Sequence, residues 1–151
     1  MKTLHPRVHG GILAKRGDAS HQADLEQQNI APIDVVVVNL YPFRATIARP
    51  DVTWDQAIEN IDIGGPTMVR SSAKNHADVL VVVDPDDYVN VIAGLSDGID
   101  LETRRAYAVK AFRHTAQYDA TIAAYLGGAE LLPASLSLSF NKVEELSLIH
   151  I

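Results

Sequence analysis

Asp34-Val35-Val36-Val37-Val38-Asn39-Leu40 decides the fold, because its β-branched run does not alternate with polar residues. A strand with one face in water alternates, whereas a strand covered on both faces reads as a continuous apolar run. Asp78-Val79-Leu80-Val81-Val82-Val83-Asp84 repeats the pattern after a connection long enough to hold helices. Both stretches therefore read as interior strands of a parallel sheet.

Helix signals surround the two runs. Thr53-Trp54-Asp55-Gln56 has the form of a capping box, predicting a helix through about Glu59. Pro66, after Gly64-Gly65, stands where a further helix begins. Asp84-Pro85, with Asp86 and Asp87 in the first turn, predicts another, ending by Gly94. The longest pattern runs from Leu101 to Leu126, with Asp100 as N-cap and Gly127-Gly128 as the stop. Leu101, Ala108, Phe112, Ile122 and Leu126 are expected to form its core face. Alternation of strand and helix makes the fold α/β. Two such strands fall short of the roughly four to six of a typical sheet. Leu136 to Phe140 alternates apolar residues with Ser, which suggests only a half-exposed edge or arm. The expectation is a sheet lacking its leading strands.

Composition narrows the function classes. The 151 residues carry 13 Lys+Arg against 19 Asp+Glu, a formal charge of −6, and the basic residues are scattered. That argues against a nucleic-acid partner, since phosphate backbones are bound by clustered cations. With no Cys, disulfides and thiolate metal sites are excluded. The longest apolar runs, Val35 to Val38 and Val79 to Val83, are far too short to span a bilayer, and the N-terminus shows no apolar signal region. These features suit a soluble, cytoplasmic globular protein.

Two segments suit ligand chemistry. Asn39-Leu40-Tyr41-Pro42-Phe43 follows the first strand directly, where open α/β sheets bind ligands. Pro42 should hold Tyr41 extended, so the phenol either faces a ligand or packs with its hydroxyl in water. In Ile61-Asp62-Ile63-Gly64-Gly65-Pro66-Thr67-Met68-Val69-Arg70, a carboxylate sits beside glycines that let a ligand approach the backbone, ahead of a helix N-terminus. That combination suits an anionic or amide-bearing ligand. Lys74 lies nine residues after Gly65 and reaches back only if the helix bends or ends early; alone it reads as solvated.

His5 and His9 have the spacing of two helical zinc ligands, but Pro6 and Gly10-Gly11 argue against a regular helix there, and no zinc-protease Glu follows. His5 reads as a residue shaping a turn before Pro6, and His76 and His114 as structural or exposed. No Gly-x-Ser-x-Gly elbow supports a serine nucleophile.

Taken as an ordered set, Lys-Thr-Leu-His-Pro-Arg-Val-His-Gly-Gly-Ile-Leu (2–13), Val-Val-Asn-Leu-Tyr-Pro-Phe (37–43), Glu-Asn-Ile-Asp-Ile-Gly-Gly-Pro-Thr-Met-Val-Arg (59–70) and Ala-Lys-Asn-His (73–76) closely resembles the IMP cyclohydrolase domain of the bifunctional AICAR transformylase/IMP cyclohydrolase family. Lys110-Ala111-Phe112-Arg113-His114-Thr115-Ala116-Gln117-Tyr118-Asp119 resembles it too. The likeness runs from Lys2 to about Leu146.

The resemblance implies a methylglyoxal-synthase-like α/β domain that closes 5-formamidoimidazole-4-carboxamide ribotide (FAICAR) to IMP with loss of water. It implies active-site roles for Lys2, Tyr41, Asp62 and Lys74, and substrate contacts from Thr3, Asn39, Leu40, Ile63, Gly64 and Gly65. It implies a small-molecule purine nucleotide as partner, neither nucleic acid nor membrane, no metal, and a homodimer for the intact parent. No cofactor is implied for the cyclohydrolase step; 10-formyltetrahydrofolate belongs to the family's transformylase domain, which is expected to be absent from these 151 residues.

On this reading residues 1–146 form the C-terminal part of the cyclohydrolase domain and the start of a connection. The family's leading Ser-Val-Ser-Asp-Lys-like and Ser-Thr-Gly-Gly-Thr-like segments are missing, and Met1 stands where the family usually has Val. Residues 147–151 depart from the family and are expected to be a non-native tail. A non-catalytic ligand-binding domain of the same fold, or a fragment without activity, are the alternatives.

Overall fold

The structure, a computed structural model, describes residues 4–128, 134–138 and 140. Its centre is a two-stranded parallel sheet of β1 (Val35–Val37) and β2 (Leu80–Val82), in the register Val35↔Leu80, Val36↔Val81, Val37↔Val82. Hydrogen bonds from Leu80 N to Asp34 O (2.8 Å) and from Val38 N to Val82 O (3.0 Å) extend the pairing at both ends. Between the strands the chain forms α3 (Phe43–Ile47), α4 (Trp54–Glu59) and α5 (Gly64–Lys74). Before them lie α1 (Pro6–Leu13) and α2 (Ala19–Gln27). After them come a 3-10 turn (Pro85–Asp87), α6 (Tyr88–Leu95) and α7 (Leu101–Gly127).

Parallel partners in register share a face of the sheet. Val36 and Val81 face α1, α5 and α7, packing with Ile12, Val69, Ala73, Ala108 and Ala111 in two adjoining apolar clusters. Leu80 and Val82 face the other way and pack on Val91 of α6, with Tyr107 of α7 beside them. α6 covers β2 alone on that face. Val35 and Val37 are consequently 39% and 52% exposed, so the expectation that both strands are buried on both faces holds for β2 and fails for β1.

α1 corrects a second expectation. Pro6 occupies the first helical turn, where its missing N–H costs nothing, and His5 caps the helix by accepting from Arg7 N at 3.2 Å. Gly10 and Gly11 do not break this helix, because their missing side chains let it lie against the segment entering β1. A Cβ on Gly11 would stand 2.5 Å from Ala31 O, and one on Gly10 3.0 Å from Ile30 Cδ1. Close packing outweighs a propensity cost of about 1 kcal/mol per glycine. Arg16 ties the following loop to both strands, donating to Ala14 O (2.6 Å) and Ile33 O (2.8 Å) while its backbone N–H reaches Asp78 Oδ2 (3.0 Å).

Most helix ends follow their caps. The capping box of α4 is complete, with Thr53 and Gln56 each accepting from the other's backbone N–H. Asp100 accepts from Thr103 N at 2.7 Å, and Gly128, at φ +60°, ends α7 in the left-handed region. α5 begins at Gly64, two residues ahead of the expected Pro66, because Asp62 caps it from outside. Asp84 accepts from Asp86 N at 3.0 Å and sets a 3-10 turn, so the regular helix beyond it starts only at Tyr88 and runs to Leu95.

The core face of α7 differs from the expected one. Of the five residues, Ala108 is buried and Ile122 half-buried, whereas Leu101, Phe112 and Leu126 are exposed; Ala111 and Thr115 complete the buried strip. At about 40 Å the helix outruns the layer beneath it, and only its middle is covered. Phe112 instead carries the Arg70 guanidinium over its ring, 5.6 Å from the centroid. Among residues 134–138 and 140 no strand forms, and Leu136, Leu138 and Phe140 are exposed: alternation without a partner strand makes no edge. No helix among the described residues is long and apolar enough to cross a membrane.

Candidate active site

The chain leaving β1 and the chain entering α5 meet at the C-terminal end of the sheet. Phe43 anchors the first segment. It is buried edge-on against the rings of Tyr118 and Tyr125 of α7, with centroids 6.3 and 5.7 Å away, and its N–H donates to Tyr41 O at 2.8 Å. The turn carries Tyr41 to the rim, and Asn39 beside it accepts from the Tyr88 hydroxyl at 2.8 Å.

Asp62 joins the two segments. Its Oδ1 accepts from Gly65 N at 2.9 Å in the first turn of α5, and its Oδ2 accepts from Tyr41 N at 3.4 Å. Gly65 leaves room for the Asp62 carboxylate where it stands: a Cβ would overlap it and stand 2.8 Å from Leu40 Cδ2. An ionised carboxylate offers about four lone-pair directions, so each oxygen keeps one acceptor position beyond these bonds.

Around this junction opens a cavity of about 810 Å³, with Asn39, Tyr41, Asp62, Ile63, Gly64 and Gly65 on its wall. Six of the ten residues singled out from the sequence thus stand together. Leu4, the described member of Lys-Thr-Leu-His-Pro, lines the same cavity, while Lys2 and Thr3 lie outside the described residues. Leu40 turns inward onto the core below and faces a second cavity of about 490 Å³ on the far side of the Tyr41 turn, beside His114 and Tyr118.

Lys74 is not brought to this place. It is the last residue of α5, exposed, and about 14 Å along the helix from Gly65, since α5 runs as one helix from Gly64 to Lys74. The condition for Lys74 to reach back to this turn is therefore not met within one chain, and its role implied by the resemblance has no support from its position here. The other candidates have structural surroundings. His9 Nδ1 lies 3.4 Å from Ser71 Oγ, joining α1 to α5, and His76 Nδ1 lies 3.0 Å from Ala73 O. Burial holds the His114 imidazole below its usual pKa, with Asp84 opposing and Lys110 adding to the effect.

Sequence reading missed Tyr118. Its hydroxyl accepts from Asp62 N at 2.9 Å and donates to Asn60 O at 3.3 Å. Nothing in the spacing signals this contact, because 56 residues separate Tyr118 from Asp62. Burial, with the nearby Asp62 and Asp119 charges, raises its pKa, while the Asp62 N–H works against the shift; the phenol stays protonated and able to donate.

Comparison with known proteins shows the family of the chain and its fold. Residues 72–148 match the model of the AICARFT/IMPCHase bienzyme, and residues 2–67 match that of the MGS-like domain. The chain belongs to the AICARFT/IMPCHase bienzyme family. A bifunctional purine biosynthesis protein PurH of Synechococcus sp. (strain CC9605) is 68% identical over 129 residues, 83% of this chain and 25% of that protein. Another, from Anoxybacillus flavithermus (strain DSM 21510 / WK1), is 57% identical over 150 residues, 97% of this chain and 29% of that protein. The chain thus spans about a quarter of the length of these family members. A solved structure described as the crystal structure of ForH superposes with a TM-score of 0.74 at 36% identity, covering 85% of this chain and 67% of that one. The family assignment and the α/β, MGS-like fold agree with the motifs from which both were expected.

Proposed function

We propose that the cavity at the Asp62–Tyr41 junction belongs to an IMP cyclohydrolase site, which closes FAICAR to IMP with loss of water. The observation that supports it best is the gathering of Asn39, Tyr41, Asp62 and the Gly64-Gly65 turn around one cavity at the end of the sheet. The matched family supports purine synthesis as the setting.

The reaction asks for what this wall offers. The carboxamide nitrogen attacks the formyl carbon, forming the ring C–N bond; one proton passes from that nitrogen to the formyl oxygen. The resulting hydroxyl then leaves as water with the proton of the formamide nitrogen, so no oxidant or cofactor enters. A carboxamide is a poor nucleophile, and its attack is helped by a carboxylate that accepts from its N–H and fixes its direction. Asp62 does this with the acceptor positions left open by Gly65 and Tyr41. Tyr41 donates to an oxygen at the rim, and Lys2 stabilises the negative charge that develops on the formyl oxygen. Lys74 takes no part in the step within one chain, because α5 holds it away.

The test is FAICAR-to-IMP turnover in the full-length protein. Asp62→Asn and Lys2→Ala should each lose about 3 kcal/mol of barrier lowering, or about 100-fold in kcat. Near-wild-type turnover in either variant refutes the role assigned to that residue.

A further inference from the structure

We infer that Tyr118 is the positioning residue that sets the direction of the Asp62 carboxylate at the cavity, through its paired hydrogen bonds to Asn60 O and Asp62 N. The inference rests on the role proposed for Asp62 and adds a residue from a distant helix to that site.

Asp62 lies in the short link between α4 and α5, where no strand or helix ladder fixes its backbone. Its carboxylate is held at one end by Gly65 N and Tyr41 N. Those bonds tie the side chain to the first turn of α5 and to the turn after β1, and they leave the backbone N–H of Asp62 itself to be held by another group. The Tyr118 hydroxyl is that group, receiving the Asp62 N–H at 2.9 Å and giving its proton to Asn60 O at 3.3 Å. A single phenol thus closes on both sides of residue 61. Tyr118 is itself braced, since it sits on the long α7 with its ring edge-on to the buried Phe43. Phe43 belongs to the turn that presents Tyr41. One side chain of α7 therefore touches both halves of the cavity wall, one through its ring and one through its hydroxyl. It does not line the cavity that holds the Asp62 carboxylate, which separates it from the groups that touch substrate.

Tyr118→Phe keeps the ring and its packing and removes only the hydroxyl. In the full-length protein kcat for ring closure should fall about 10- to 100-fold, the size expected when a reacting group is misaligned, while KM stays within about twofold. The decisive measurement is a double-mutant cycle with Asp62→Asn. If Tyr118 acts through Asp62, adding Tyr118→Phe to Asp62→Asn lowers kcat no further. Multiplying losses in the double variant, or wild-type kcat in Tyr118→Phe beside an impaired Asp62→Asn, would overturn the inference and leave the cyclohydrolase reading standing. Wild-type turnover in Asp62→Asn strikes at the cyclohydrolase role itself. Thermal unfolding is recorded for each variant and the kinetics read below the transition. A Tyr118→Phe protein with no cooperative transition would also overturn the inference, showing the hydroxyl to be a group that holds the fold.

Discussion

The two ends of α5 carry family motifs of similar appearance and do different work. At the N-terminal end, Asp62 and the glycines leave acceptor positions and backbone open to a cavity. At the C-terminal end, Ala73-Lys74-Asn75-His76 turns inward instead. Asn75 is buried and donates from Nδ2 to Ile12 O (2.8 Å) and Ala14 O (3.3 Å), fastening α5 to the end of α1, while Lys74 stands exposed beside it. One end turns its polar groups to a ligand-sized space and the other to the carbonyls that end a neighbouring helix. A motif residue is therefore not chemical by virtue of being polar; its neighbours in space decide.

The largest effect that would break this comparison is expected at Gly65. Gly65→Ala puts a methyl group into the Asp62 carboxylate and Leu40, so those side chains must shift. Ring closure in the full-length protein should fall by about 100-fold or more, with a stability loss of about 1–3 kcal/mol. Kinetics together with denaturant unfolding measure the two parts. Asn75→Ala should invert that pattern. It removes the Asn75 bond to Ile12 O and leaves Ala14 O only its bond from Arg16, costing about 1–3 kcal/mol in denaturant unfolding, while kcat below the transition stays near wild type. A kcat loss as large as that of Gly65→Ala would merge the two ends into one site.

Lys74→Ala should change unfolding free energy by no more than about 0.5 kcal/mol, as an exposed residue at a helix end, and a larger change would mean a contact that a single chain does not make.

The end of the neighbouring strand supplies a pH control. Lys110 bonds Asp84 at 2.7 Å and, with the Asp86 N–H, holds the Asp84 carboxyl below the usual carboxylate range. A depressed folded-state pKa contributes stability above the unfolded value of about 3.9 and loses it as pH falls through the folded value. For Lys110, burial alone would lower the pKa, but Asp84 and Asp87 outweigh it and raise the group, so its share is lost only at strongly alkaline pH. The Tm difference between wild type and Asp84→Asn should therefore be flat through neutral pH and shrink as pH drops below about 4. A difference that persists unchanged at low pH would show the contribution to be packing.

Much of this molecule is legible in local sequence. The β-branched runs became β1 and β2, Thr53-Trp54-Asp55-Gln56 became a complete capping box, and Asp100 and Gly128 bound α7, because each signal acts over a few residues. The errors share a cause. Gly10-Gly11 looked like a helix breaker and proved to be a packing surface; Leu101 and Leu126 looked like core and overhang the layer beneath; Lys74, given an active-site role by the resemblance, lies a helix length from Gly65. In each case the deciding atoms belong to another element.

By itself the sequence determined the parallel α/β pattern, the places where helices start and stop, and the motif residues from which the family could be named. Caps, turns and β-branched runs are local interactions, complete within about one turn or strand, so their outcome is written where they stand. Only the tertiary structure decided which face of β1 lies open, which motif residues share a cavity, and that Tyr118 of α7 holds the link bearing Asp62. Those outcomes depend on contacts between residues tens of positions apart, and burial and hydrogen-bond partnership are properties of the packed arrangement, with no counterpart in spacing along the chain.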